Sequence, residues 1–148
     1  MTEKGLAKAY QPADVEGAIY GRWLTADVFA PDGAGSRAEA TKPPFVIIQP
    51  PPNVTGSLHL GHAQRTAVED LMIRHARMQG RPTLFLPGLD HASIAAQVVL
   101  DRVIAKEGES RQSLGRERYL ERMRAFSDST RPVILGQQQR VGASAGRG

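Results

Sequence analysis

Three consecutive prolines, Pro50, Pro51 and Pro52, limit what this chain can fold into more than any other feature. Proline fixes φ and brings no amide donor, so neither a central strand nor a helix interior can run through the triplet. The stretch before it, "PPFVIIQP" (43 to 50), is a short apolar run bounded by prolines and predicts a buried strand with both faces covered. After it comes "NVTGSLHLGHAQ", where Gly56 permits backbone conformations closed to other residues and His59 and His62 stand three positions apart. From His62 to Gln79 the pattern is helical, with Ala63, Ala67, Leu71 and Met72 on one side, Arg74 and Arg77 on another, and Gly80 as the stop. "PTLFLPG" (82 to 88) predicts a second buried strand. Strand, helix, strand is a βαβ unit, so the two strands are expected to be parallel with a right-handed crossover. Ligands of such sheets gather beyond the carboxyl ends of the strands. Both "PPPNVTGSLHLGH" and "PGLDHAS" fall there, and they are expected to face each other across one cleft.

The flanks read more simply. "PADVEGAIYGRWLTADVF" (12 to 29) predicts a helix with Val15, Ile19, Trp23 and Leu24 at helical spacing and Trp23 as an anchor. "APDGAGSRAEAT" (30 to 41) has no periodicity and reads as a loose surface linker. The chain therefore divides into an N-terminal helix and flexible linker, 1–41, and an α/β part, 42–148. Three further helices are expected at 93 to 108, 113 to 129 and 132 to 142, with Ser113 as a cap and Pro132 in a first turn.

Composition removes several function classes. With no cysteine among 148 residues there is no disulfide, Cys-ligated zinc, iron–sulfur cluster or thiol nucleophile. The start, "MTEKGLAKAY", has no apolar run after its charges, and nothing approaches the ~20 apolar residues of a membrane helix, so a cytoplasmic protein without membrane partners is expected. Residues 101 to 148 carry ten Lys or Arg against six Asp or Glu, which equals the whole net charge of +4. Arg102, Arg111, Arg116, Arg118, Arg122, Arg124, Arg131 and Arg140 could face nucleic-acid phosphates or form a solvated helical face.

Three readings are open for His59 and His62. With His91 or Asp90 they could ligate a metal. They could be surface histidines without a role. Or they could bind phosphate, since the first turn of a helix offers free amides and the positive end of its dipole, to which histidine adds a steerable donor. The stiff proline wall and Gly56, which lets a bulky ligand near the main chain, suit the phosphate reading. Neither a P-loop nor the G-x-G-x-x-G dinucleotide pattern follows either strand.

"HLGH" resembles the HIGH signature of class I aminoacyl-tRNA synthetases, and "KPPFVIIQPPPNVTGSLHLGHA" is similar to its valyl-tRNA synthetase version. "LPGLDHASIAAQVV", "LGRERYLERM" and "QQQRVGASA" resemble further blocks of that family in the same order, over residues 42 to 145. The resemblance implies the first half of a Rossmann-like, nucleotide-binding catalytic domain that activates valine with ATP and transfers it to tRNA(Val). His59 and His62 would contact the ATP phosphates, with Gly61 leaving room for the nucleotide. Asp90 would hold the valine ammonium group, although from the residues alone it reads as a helix cap. Pro51, Pro52 and Asn53 would line the amino-acid pocket, with Thr55 nearby. Mg²⁺ is expected with ATP, and no protein-ligated metal.

The resemblance is incomplete. The family's KMSKS signature is missing, as are the editing and anticodon-binding regions, so the chain is expected to be truncated before them. Ser93 replaces the glycine common in the Asp-His-Ala-Gly block. A half sheet leaves an apolar edge and face uncovered, and a complementary C-terminal polypeptide is an expected partner. The alternative is a catalytically inactive, synthetase-like nucleotide- or tRNA-binding module.

Overall fold

Strands β1 (Phe45–Ile48) and β2 (Thr83–Leu86) lie parallel, Phe45 opposite Thr83 and Ile48 opposite Leu86, in a computed structural model that describes residues 9–33 and 36–146. Helix α1 (Pro12–Thr25) precedes them, α2 (Leu60–Met78) joins them, and α3 (Ser93–Lys106) and α4 (Arg111–Arg140) follow. The predicted strand–helix–strand order and parallel pairing are both present. Gly80, at φ 72°, ends the turn after α2 in the left-handed conformation that glycine adopts most readily.

Because side chains alternate along a strand, β1 and β2 have two distinct faces. Phe45, Ile47 and Phe85 pack with Ile73 of α2 and with Ala143 and Ala145 beyond α4. The other face is uncovered: Val46 is 52% exposed and Ile48 71% exposed. The expectation of strands covered on both faces therefore fails. Helices α3 and α4 are not spent on that face, because they make a separate core of Leu100, Ile104 and Leu114 with Tyr119, Met123 and Phe126 against it. Between them Arg111 pairs with Asp101 and Arg122 with Glu107.

Helix α2 also buries a different side from the one predicted. Its buried residues are Thr66, Asp70, Ile73 and Ala76, whereas Leu71 is 69% exposed and Met72 is exposed as well. Polar groups on the buried side are satisfied by the segment after α4. Asp70 Oδ1 accepts the Ser144 N–H at 2.9 Å and the Ser144 hydroxyl, while Asp70 Oδ2 accepts Arg74 Nε–H at 2.5 Å. Arg74 donates to Gly142 O at 2.7 Å, and Arg77 donates to the Ser144 hydroxyl, to Ser144 O and to Phe29 O. Gly146 N–H reaches Phe85 O at 3.1 Å, so residues 142–146 are bonded to α2 and to β2 alike.

A second buried network closes the top of the sheet. Gln49, 1% exposed at the end of β1, donates from Nε2 to Thr66 Oγ1 at 2.9 Å and accepts at Oε1 from Gln138 Nε2 at 2.8 Å. Its own N–H donates to Leu86 O. Every polar group of the buried side chain thus has a partner, as burial demands.

Helix α1 stops at Thr25 rather than at Phe29, and Asp27 follows with φ 50°. Phe29, buried beyond this turn, stacks with Tyr20 and Trp23 at 5.8 and 6.0 Å between ring centres. Trp23 acts as the predicted anchor by receiving the Arg74 guanidinium 5.1 Å above its ring. Of the stretch 30–41, the described part is tied down: Glu39 N–H donates to Gly80 O, and Lys42 donates to Glu39 and Gln79 O.

The helices predicted at 113 to 129 and 132 to 142 run together without a break at 131, and α4 is instead kinked at Gly115, whose φ of 72° and ψ of 169° separate its first turn from the long piece after it. Pro132 lies in its interior instead of a first turn. The bond it forgoes would have gone to the carbonyl of Asp128, an exposed residue whose oxygen water can satisfy. The cap is Ser110, not Ser113, and the two serines cap reciprocally: Ser110 Oγ accepts Ser113 N–H and Ser113 Oγ accepts Ser110 N–H.

Replacing Asp70 by alanine removes the ion pair of Arg74 and the acceptor of both the Ser144 N–H and the Ser144 hydroxyl. The expected loss is about 1–3 kcal/mol of unfolding free energy, since the Ser144 donors lose a buried acceptor while half-exposed Arg74 can turn to water, read as a lower denaturant midpoint; a change within about 0.5 kcal/mol would contradict this account of the packing.

Candidate functional site

Prolines remove donors but keep acceptors, and the loop after β1 uses that difference. Asp90 N–H donates to Pro52 O at 2.9 Å, and Val54 N–H donates to Asp90 O at 2.9 Å. Asn53 and Asp90 thereby form a parallel bridge that continues the pairing of β1 with β2 past the triple proline. The two motifs expected to face each other are joined through their backbones at the carboxyl ends of the strands. Pro52 is buried, Pro51 is exposed and stands against Gly88, and Thr55 N–H turns back to Asn53 O.

Gly56 has φ 152°, a conformation that L side chains rarely adopt. Leu58 N–H then donates to Gln137 Oε1 of α4 at 2.8 Å. The chain enters α2 through His59, the N-cap, with φ −108° and ψ 173°.

The histidine pair caps that helix with itself. His59 Nδ1 accepts Gly61 N–H at 3.1 Å, and His62 Nδ1 accepts His59 N–H at 3.4 Å. Their rings lie 4.0 Å apart between centres, tilted by 52°. With both Nδ1 atoms accepting, a neutral ring carries its proton on Nε2, which leaves two imidazole N–H donors at a helix N-terminus. Gly61 has a role not foreseen: a Cβ there would stand 3.0 Å from His59 Cε1 and 3.1 Å from Nδ1, so its absence makes room for the capping ring. The His62 pKa is lowered from its ordinary value of 6.5, first by burial and then by the nearby His59 and Arg65.

Asp90 is exposed, and its Oδ1 accepts Ala92 N–H at 2.8 Å. The N-cap of α3 is Ala92, at φ 42° and without a side-chain cap, so Asp90 braces the turn before the helix and does not cap it. Its Oδ2 makes no hydrogen bond among the described residues. Beside it, Val54, Pro87, Leu89, His91, Arg131 and Leu135 line an open pocket of ≈ 280 Å³. His91 points to this pocket, and among the described residues no three His, Asp or Glu side chains come together as a metal site.

Of the arginines proposed for phosphate, three are engaged within the protein: Arg111 with Asp101, Arg118 with Glu109 and Arg122 with Glu107. Arg102, Arg116, Arg124, Arg131 and Arg140 have no ion pair among the described residues. Two side chains that hold the site, Gln49 and Gln137, were not foreseen; a lone glutamine after a strand and one in a glutamine run give no pattern to read. No described helix is long and apolar enough to cross a membrane.

Residues 18–146 match the family described as tRNA synthetases class I (I, L, M and V). The chain is 53% identical over 139 residues to a valine–tRNA ligase of Dehalococcoides mccartyi (strain CBDB1), covering 94% of this chain and 15% of that protein. It is 47% identical over 141 residues to a valine–tRNA ligase of Streptomyces avermitilis, covering 95% of this chain and 16% of the relative. The Thermus thermophilus valine–tRNA ligase is also 47% identical, over 140 residues, with 95% and 16% covered. The chain thus spans about a sixth of the length of these curated relatives.

The site's electrostatics have a measurable signature. Because the folded protein disfavours the protonated His62 ring, its pKa should lie below 6.5 in a proton–nitrogen NMR titration. Stability from this group is unaffected above the ordinary value and falls as pH drops below it, until the lowered folded value is passed. Arg65→Ala should raise the midpoint only part of the way, since burial is the larger cause; an unshifted wild-type midpoint would contradict the assignment.

Proposed function

This chain belongs to the class I tRNA synthetases (I, L, M and V), and we propose that within that family it is the ATP- and valine-binding part of a valine–tRNA ligase. The observation that carries the reading is the Asn53–Asp90 bridge. It joins the two motifs that the resemblance assigns to the amino acid, beyond the carboxyl ends of parallel strands, where such sheets bind ligands. Six residues after Asn53 the same loop delivers His59 to the start of α2.

In this reading β1, α2 and β2 are the opening of a Rossmann-like, HIGH-type sheet, with residues 1–41 an N-terminal extension to the catalytic part that begins at 42. ATP lies over the N-terminus of α2. The Nε2–H groups of His59 and His62, with the positive end of the helix dipole, hold its phosphates, and Mg²⁺ enters with the nucleotide as substrate. Asp90 receives the valine ammonium on its unengaged Oδ2, and Pro51, Pro52, Asn53 and Thr55 form the wall beside it.

The reaction needs no nucleophile from the protein. A valine carboxylate oxygen attacks the α-phosphorus of ATP, the bond to the bridging oxygen of the β-phosphate breaks, and pyrophosphate leaves. A ribose hydroxyl at the tRNA(Val) end then attacks the acyl carbon and AMP departs. The protein positions the reactants and offsets charge growing on the phosphoryl oxygens, which is where fixed donors act most strongly. A pocket of this kind rejects threonine only about 10²-fold, as is known of valine-specific synthetases, because an apolar site cannot strongly exclude an isostere that merely adds a hydroxyl.

Two partners follow. The exposed face of the sheet, with Val46 and Ile48, is the surface that a complementary C-terminal polypeptide would cover. For tRNA, the arginines without an ion pair among the described residues, Arg116 and Arg124 among them, are the phosphate contacts. Reversing Arg124 should weaken tRNA binding and reduce the slope of log K against log salt by about 1; unchanged affinity would remove this surface from consideration.

The principal test is valine-dependent exchange of pyrophosphate into ATP, together with binding of each ligand. His59→Ala should lower exchange by about 10²-fold, and Asp90→Ala should weaken valine about 10- to 100-fold. Equal affinities in wild type and both variants would refute the roles. ATP binding without any exchange would favour the alternative, an inactive synthetase-like nucleotide- or tRNA-binding module.

A further inference from the structure

We propose that Gln137 of α4 is a positioning residue for the His59–His62 turn, holding the loop before it by accepting the Leu58 N–H on its side-chain oxygen. The consequence for catalysis rests on the reading of these histidines as nucleotide ligands. The bond itself is 2.8 Å long, partly buried, and links residues 79 positions apart.

Residues 55–59 have little else to locate them. Thr55 N–H bonds within the loop, to Asn53 O. Gly56 has nothing within 4 Å of where its Cβ would stand. Among the described residues, His59 and His62 bond only to each other and to the first turn of α2. Upstream, the Asn53–Asp90 bridge holds residues 52–54, but for residues 55–59 Leu58 N–H to Gln137 is, among the described residues, the sole hydrogen bond to any element other than α2. A glycine-containing loop without that tie would sample several entries into the helix.

Leu58 immediately precedes the N-cap, so fixing its peptide fixes the direction from which the chain reaches His59. His59 N–H in turn donates to His62 Nδ1, so both rings inherit the alignment. The neighbouring residue on α4, Gln138, holds Gln49 at the other end of the same loop. Two adjacent glutamines, projecting roughly 100° apart around a helix, therefore grip the proline–glycine loop before Pro50 and after Ser57. Glutamine suits this place because it supplies a long, neutral acceptor, whereas a carboxylate would set negative charge near the phosphate donors.

Gln137→Met keeps the length of the side chain and removes the acceptor. Amide hydrogen exchange at Leu58 should accelerate about 3- to 10-fold, and the ATP dissociation constant measured by calorimetry should rise by a similar factor. Adding the change to His59→Ala should cost less ATP affinity than the change costs alone, because the part of its effect that runs through His59 is already lost and only the part through His62 remains. A purely structural role would leave ATP affinity unchanged or add fully to His59→Ala, and either result overturns the proposal. Gln137→Glu retains an acceptor and should keep Leu58 exchange slow, whatever its charge does to ATP. If His59→Ala leaves ATP affinity unaltered, the ligand reading of His59 fails instead. Exchange then decides the Gln137 tie alone: fast in the methionine variant and slow in the glutamate variant upholds it, and equal rates overturn it.

Discussion

Two strands of four residues do not make a stable sheet by themselves, and the element that secures this pair is a carboxylate. Asp70 collects the Ser144 N–H and hydroxyl and the Arg74 guanidinium at one buried position. Through Arg74 the same centre reaches Trp23, and through Ser144 and Arg77 it reaches Phe29. One charge thus joins α1, α2 and the segment after α4. Such a group is tolerated in an interior only when its hydrogen bonds are complete, and here each contributing residue is held by at least one other contact.

The arrangement at the other end of the sheet is neutral rather than charged. Gln49 bonds to Leu86, Thr66 and Gln138, connecting β1, β2, α2 and α4 without an ionic group. The division has a chemical logic. A fixed carboxylate close to the histidine donors would compete for them, whereas amides align the backbone and leave those donors available. The proline triplet fits the same scheme, because it stiffens the approach while its last carbonyl still accepts Asp90 N–H.

The sequence was most legible where the signal is local. Proline-bounded apolar runs located β1 and β2, Gly80 marked the end of α2, and two histidines at a helix start were visible as such. It was least legible where a partner lies far along the chain. Leu71 and Met72 looked like the core side of α2, but that side is occupied by Thr66 and Asp70, whose partners Gln49 and Ser144 periodicity cannot reveal. Pro132 looked like a boundary, whereas the backbone departs from helix at Gly115, where a residue permissive of φ 72° costs least. His59 as an N-cap was hidden because serine, threonine, aspartate and asparagine are the usual caps. Asp90 was read as a cap and proved to brace the turn one step earlier.

The dependence of α2 on residues 142–146 has a consequence for biosynthesis. The residues of β1, α2 and β2 have all been translated once Leu86 has been added, yet the neutral groups that complete the hydrogen bonds of Asp70 and Arg77 arrive with Ser144, 58 residues later (144 − 86). At typical rates of about 5–20 residues per second, that interval lasts roughly 3–12 s. A nascent chain must pass through it with a carboxylate and two guanidiniums hydrated on the surface that will become its interior. Final docking of the helix therefore waits on the arrival of Ser144, long after the strands it covers have been made.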